Sequence, residues 1–206
     1  ADRLHRLANE VGRTAWQIPA PFETLSFTVL GFKKRKWIPG WPQNCKQRVV
    51  MSPFVDNGAL QSLLQNTESL KCSPSESGET IASRGPLALI SRPEQLVYIK
   101  PAILRQFGAV YTLKEHVETE DGEAPDASKA AVNGLHAKAV LSWKGFRFRA
   151  AIGSANATSR ALIRGENVEV MAILEGRGSQ WKPDVFLSED EGIGDLLEQW
   201  EIPDQE

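Results

Sequence analysis

At 206 residues, with 24% charged and 41% hydrophobic positions, the chain is long enough to bury one full core and has the composition of an ordinary globular domain. Its formal net charge of −2 gives no overall attraction to polyanions, so binding to nucleic acid would have to come from local clusters. No apolar run approaches the ~18–20 residues that span a bilayer, nothing reads as a signal peptide, and Cys45 and Cys72 make neither a disulfide framework nor a zinc site. A cytoplasmic protein with reduced thiols and no membrane contact is expected. The opening at Ala1, without Met, is expected of a domain excised from a longer protein.

Leu4, Leu7, Ala8 and Val11 recur at helical spacing, predicting a short amphipathic helix that Pro19 and Pro21 end. LSFTVLGF (25–32) has the branched and aromatic content of a strand. The basic run Lys33, Lys34, Arg35 and Lys36 follows it, then the turn-rich WIPGWPQN. Arg48 to Met51 reads as a short apolar strand. After a Ser-Pro break a helix opens with Asp56 or Asn57 as its N-cap. A polar loop, CSPSESGETIASRG, leads to a buried strand at 86–91, a helix begun near Pro93 and a strand at 108–113. HVETEDGEAPDASKAAVNG is acidic and reads as an exposed loop.

AKAVLSW and FRFRAAIGS read as two strands joined by a tight hairpin at Lys144-Gly145. SRALIRGE is expected to be a short helix, NVEVMAIL (167–174) a strand, and IGDLLEQW a terminal helix. Strands alternating with short helices predict an α/β fold, a mixed β-sheet flanked by helices. One domain is expected over 1–206, with its core at about 45–175. No internal repeat is visible.

In a strand, residues i and i+2 share a face. His136 and Lys138 form one such pair, Ser154 and Asn156 a second if the chain stays extended, and Asn167 and Glu169 a third. If the three segments lie side by side, one sheet edge presents an imidazole, an ammonium, a hydroxyl, an amide and a carboxylate. That set suits phosphodiester chemistry without a metal or other cofactor. Imidazole can attack phosphorus or carry protons near neutral pH. Ammonium and amide donors can hold the non-bridging oxygens as charge grows on them, and a carboxylate can orient an imidazole. Taken singly, each pair is more simply a surface turn or a solvated strand face. In this order and among strands, the three together are not.

LHAKAVL, IGSANATSRAL and ENVEVMAIL together resemble the phospholipase D superfamily, whose signature is His-x-Lys, often an Asp, then Gly-Ser-x-Asn. VVMSPFVDNGALQSLL looks like the strand and helix that open such domains, and LALISRPEQL is similar to the corresponding bacterial segment. The resemblance covers roughly residues 45 to 175. It implies a phospholipase D-like half and a two-step, metal-independent mechanism through a covalent phosphohistidine. His136 would be the nucleophile or the general acid/base, while Lys138 and Asn156 would bind the phosphoryl oxygens. Ser154 would hydrogen-bond within the site, and Glu169 would support an imidazole, its own or that of a partner motif. Two departures stand out. Trp143 occupies the place of the family's frequent Asp, which some nuclease-like branches also lack, and fourteen residues separate Lys138 from Gly153, a few more than is common.

Sites of this kind need two such motifs, and this chain has one, since neither His5 nor His116 has a Lys two positions on. The second would come from a homodimer partner or from another part of a longer chain, unless this half is a non-catalytic copy. As substrate, nucleic acid is expected over phospholipid. Lys33 to Lys36, between Phe32 and Trp37, would contact phosphates and stack a base, and Arg147 and Arg149 would lie beside the active-site face. Each group is also readable as a solvated surface. A lipid-directed enzyme would be expected to carry an apolar interfacial element. The expected activity is a nuclease of a bacterial protein in a defence or DNA-processing system. The alternatives are a non-catalytic domain binding nucleic acid or a partner protein, and a phospholipase.

Overall fold

Eight segments rich in branched and aromatic side chains extend and pair into one sheet: β1 (Phe22–Leu30), β2 (Gln47–Met51), β3 (Leu87–Ile90), β4 (Ala109–Leu113), β5 (Ala139–Lys144), β6 (Arg147–Gly153), β7 (Glu169–Arg177) and β8 (Leu197–Gln199). This computed structural model describes residues 13–32, 47–65, 87–114, 134–178 and 181–203, together with Arg6, Asn9, Glu10 and Cys45. The basic run Lys33 to Lys36, the polar loop at 72–85, His5, His116 and most of the acidic loop lie outside them. So do Leu4, Leu7, Ala8 and Val11 of the expected first helix, although Arg6, Asn9, Glu10 and Arg13 are helical.

The strand order is β1-β7-β6-β5-β2-β3-β4-β8. β2, β3 and β4 run parallel, and all other neighbours are antiparallel. This is the mixed α/β sheet that the alternation of strands and helices predicts. The parallel strands are joined by α1 (Asn57–Gln65) and by two single-turn helices, α2 (Pro93–Leu96) and α3 (Pro101–Leu104). These helices cover one face, where Leu60, Leu64, Leu96 and Leu104 pack on Val50, Leu89, Val110, Val140, Ala151 and Met171. Alternate residues of the same strands point the other way. Val49, Ile90, Leu141, Trp143, Phe148 and Leu174 build a second core, against which Phe186 of α4 (Pro183–Phe186), Leu187 and Ile193 pack.

Four expected elements differ in the structure. The helix expected from Pro93 is split into α2 and α3 at Lys100, held extended (ψ 127°) before Pro101, whose ring disfavours a helical predecessor. SRALIRGE forms a π-helical turn, Ser159–Ile163. β1 ends at Leu30 because Gly31 turns at φ 74°, so close to the neighbouring chain that a Cβ would stand 1.8 Å from the Asn167 carbonyl oxygen. IGDLLEQW is not a helix but a 3₁₀ turn, Gly194–Leu196, followed by β8. A helix that short gains little by itself, whereas β8 satisfies the outer edge of β4 and buries Leu197. Among the described residues no helix is long and apolar enough to cross a membrane.

Two residues tie the helical layer to the sheet. Arg48, 2% exposed, donates to the Leu63 carbonyl in the last turn of α1 and to Ser142 Oγ at 3.2 Å. Asp56 caps α1 by accepting from Ala59 N at 2.8 Å, and it also accepts from Ser159 N at 2.5 Å and Ser159 Oγ at 2.6 Å. Burial alone would raise the Asp56 pKa, but these donors, with Ser159 Oγ foremost, outweigh it and hold the carboxyl below its ordinary value. A depressed folded-state value means the stabilisation is complete above the unfolded pKa of about 3.9 and is lost as pH falls through the folded value. Asp56→Ala is therefore expected to cost about 1–2 kcal/mol at pH 7. Urea unfolding of both proteins at pH 7 and near pH 3 should show the gap narrowing in acid; an equal gap would contradict the assignment.

Candidate active site

The pairing registers align one edge of the sheet. Leu30 lies opposite Glu169, Gly153 opposite Met171, Ala139 opposite Ile152, and Met51 opposite both Ala139 and Ile90. The carboxyl ends of the parallel strands therefore meet the segment entering β5, the segment leaving β6 and the start of β7. In open α/β sheets this is the edge where ligands bind.

His136 and Lys138 lie just before β5, and the ladder continues past it, since Gly153 N donates to the Lys138 carbonyl at 3.1 Å. His136 is exposed. Its carbonyl accepts from Lys138 Nζ at 2.8 Å, which occupies one of the three ammonium donors. Gly153 brings β6 against β7 so closely that a Cβ would meet the Val170 carbonyl oxygen at 2.1 Å. That approach delivers Ser154. Its hydroxyl donates to Glu169 Oε2 and accepts from Val170 N at 3.0 Å, while Ser154 N donates to the Val170 carbonyl at 3.0 Å. Glu169 is 8% exposed, so this hydroxyl is a principal partner of a carboxylate largely removed from water.

Lys138 links the two halves of the set. Burial lowers its pKa from the ordinary lysine value, nearby Glu169 opposes the shift, and Arg92 adds to it. Ammonium, carboxylate and hydroxyl thus form one electrostatic group. Asn156 lies two residues beyond Ser154, and its Oδ1 is buried without a hydrogen-bond partner among the described residues. An unmet amide oxygen is costly unless a donor completes it, and it is the Nδ2 group, not Oδ1, that could donate to a phosphoryl oxygen. The five expected residues thus lie on segments that meet at this edge, Ser154 bonded to Glu169 and Lys138 within its electrostatic influence, with His136 and Asn156 on the flanking stretches. Among the described residues no three His, Cys, Asp or Glu side chains are arranged to hold a metal ion.

The expected polynucleotide contacts fare differently. Arg147 and Arg149 stand at the opposite end of β6, and the five steps from Arg149 to Ser154 span about 17 Å of extended chain. Arg149 is also held by Glu175 through Nε and Nη2. Neither arginine lies beside the edge that carries the candidate residues. Trp143 belongs to the second core, 4% exposed and 4.8 Å from the Phe148 ring, with its indole N–H donating to the Trp181 carbonyl.

Other groups at this edge carried little signal in the sequence. Arg92 follows β3 and donates from Nε to the Leu135 carbonyl at 2.9 Å, next to His136. Ser52, 1% exposed after β2, donates to the Phe54 carbonyl at 2.7 Å and accepts from Ala157 N at 2.9 Å, next to Asn156. Ser91 Oγ in turn donates to the Ser52 carbonyl at 2.8 Å. Each sits where a buried strand runs into a Ser-Pro or Ser-Arg-Pro break, a pattern that reads locally as a strand end only.

Compared with protein-family models and with curated protein sequences, the chain matches none. Its functional reading rests on its own residues.

Glu169 supplies the attraction that favours protonated Lys138. Glu169→Gln removes it while burial and Arg92 continue to act, so Lys138 should lose its proton at a lower pH in the variant than in the wild type. NMR titration of the lysine ε-methylene signals, assigned with Lys138→Arg, measures this. An unchanged or higher midpoint would contradict the coupling.

Proposed function

We propose that the chain is a phospholipase D-like half that hydrolyses phosphodiesters without a metal, acting as a nuclease through a phosphohistidine. The observation that supports this reading is that the segments carrying His136, Lys138, Ser154, Asn156 and Glu169 meet at one sheet edge, with Ser154 bonded to Glu169 and Lys138 electrostatically coupled to it.

In the proposed reaction an imidazole nitrogen of His136 attacks phosphorus. The P–O bond to the leaving group breaks, and an imidazolium of the second motif gives that oxygen its proton. Water, giving a proton back to that second imidazole, then attacks the phosphohistidine, the P–N bond breaks with its electron pair returning to His136, and a phosphomonoester leaves. Lys138 and the Asn156 amide hold the non-bridging oxygens, whose charge grows in both steps. Ser154 and Glu169 keep this end of the site rigid and offer a carboxylate near the imidazoles.

The second motif is assigned to a second copy of the chain. The sequence carries one His-x-Lys, at His136 and Lys138, and a site of this kind needs two. A two-fold pairing across the edge that carries His136 and Lys138 would bring two copies of the constellation together. The nuclease preference rests on the basic run Lys33 to Lys36 between Phe32 and Trp37.

In a nuclease assay with excess chelator, the wild type should cleave and His136→Ala should lose at least about 10³-fold in rate. Retention of nucleic acid with no cleavage by the wild type would replace this reading with a non-catalytic binding domain. Headgroup release from phospholipid with no nucleolysis would replace the substrate. Mass measurement in solution should find a dimer, and a strict monomer would sink the shared site.

A further inference from the structure

Arg92 has no role in the reaction as proposed, yet its side chain is 13% exposed and it reaches the site from β3. Its Nε is fixed on the Leu135 carbonyl, its charge is felt by Lys138, and its guanidinium carbon lies 5.7 Å from the centre of the Phe54 ring. Among the described residues the only carboxylate against it is Glu94, 3.8 Å away and 60% exposed, a contact of little strength. Phe54 is itself held in place, since its carbonyl accepts from the buried Ser52 hydroxyl that also ties down Ala157. The ring is nevertheless 45% exposed, a large apolar surface left open on a tightly fixed loop. Tyr98, 79% exposed, stands on the same rim, where its carbonyl accepts from Asn57 Nδ2 at 3.4 Å.

We propose that Arg92, lying on Phe54, forms a subsite for the nucleotide next to the scissile diester, so that the substrate is a single-stranded polynucleotide. This rests on the phosphodiesterase reading and adds to it a residue pair and a strand state. The guanidinium is planar, permanently charged and bears donors, so it can take the neighbouring phosphate while a base stacks on its outer face or on the open part of the Phe54 ring. An unpaired base has a free face for such a platform, whereas a base inside a duplex is already stacked on both sides. A choline headgroup fits the same place poorly. A quaternary ammonium at the Phe54 ring would stand beside the like charge of Arg92, and Lys138 adds another.

The test uses the 206-residue chain with a fluorescent single-stranded oligothymidylate, its duplex with oligoadenylate, bis(p-nitrophenyl) phosphate and phosphatidylcholine vesicles. Binding is read by anisotropy and turnover as kcat/KM. Phe54→Ala and Arg92→Ala should each weaken oligothymidylate binding by about 5- to 100-fold. They should lower kcat/KM for the oligonucleotide relative to the small diester by a similar factor. Phe54→Trp should retain binding, and Arg92→Lys should not restore it, because an ammonium is no stacking surface. Thermal melts identify variants that fail to fold, and the two conservative variants carry the test if the alanine proteins do. Equal losses on both diesters would reduce Arg92 to a brace for the His136 segment and overturn the subsite. So would tighter binding of duplex than of single strand, or vesicle hydrolysis untouched by Phe54→Ala. If the wild type binds oligothymidylate through Phe54 but cleaves no diester, the subsite stands and the catalytic reading falls. If it cleaves the small diester but binds no oligonucleotide, the reverse holds.

Discussion

The attachment of residues 154–159 to the loop after β2 is the constraint on which the site depends. The two segments are more than a hundred positions apart, and three kinds of contact join them. Asp56 takes both the N–H and the hydroxyl of Ser159, Ser52 takes Ala157 N, and Val55 forms an isolated parallel bridge with Ala157. Without these contacts the chain leaving β6 would be an ordinary surface turn, free to point Asn156 anywhere. With them, the carboxyl ends of the parallel strands and the antiparallel half of the sheet share one rigid rim. Gly58 is part of the same device, because a Cβ there would sit 2.5 Å from Ser159 Oγ and hold the two segments apart. Local helix capping and long-range site assembly thus use one carboxylate.

The electrostatics of the rim run against folding and are compensated within it. Burial disfavours the Lys138 ammonium, and Arg92 disfavours it further. Glu169 offsets part of this, but Glu169 is itself buried and relies on Ser154 Oγ for a partner. Asn156 Oδ1 is left without a partner among the described residues. A core position would be better served by apolar groups. Such a cluster at a sheet edge, beside an exposed imidazole, is the kind of local conflict that proteins keep where chemistry is done.

Much of the sheet was legible because its interior strands are dense in Val, Leu and Ile and bounded by Gly, Pro and Ser. VVM, LALI, AVYTL and the hairpin on either side of Gly145 all fall where composition places them. Gly145 adopts φ 56°, as the tight turn requires. The terminal β8 was not legible. In a segment as short as IGDLLEQW, Leu196, Leu197 and Trp200 fit a helical spacing as well as an extended one, and the unpaired edge of β4 decides between them. The site divides in the same way. Residues carried by type and spacing, His136 to Glu169, were visible. Arg92, Ser52 and Phe54 gain their meaning only from β2 and β3 lying in parallel, a pairing that no local pattern announces. Arg147 and Arg149 show the converse, since alternation along a strand states which face a residue takes but not which end of the sheet it reaches.

Parity along β5 also decides which way Trp143 points. In the proposed phospholipase D-like reading, an Asp would often stand five residues after the Lys. Val140 and Ser142 share the parity of Lys138 and face the helical layer, Val140 in its core and Ser142 beneath Arg48. Trp143 has the opposite parity and lies in the other core among Phe148, Phe22 and Trp181. Five is an odd step on a strand, so a side chain there points away from the surface that Lys138 shares. A carboxylate at 143 would stand behind the sheet, in an aromatic core, at a high desolvation cost and several residues from the site edge. The indole fills that space instead and satisfies its N–H on the Trp181 carbonyl. A Trp at this position therefore takes no group from the edge where the segments of His136, Lys138, Ser154, Asn156 and Glu169 meet.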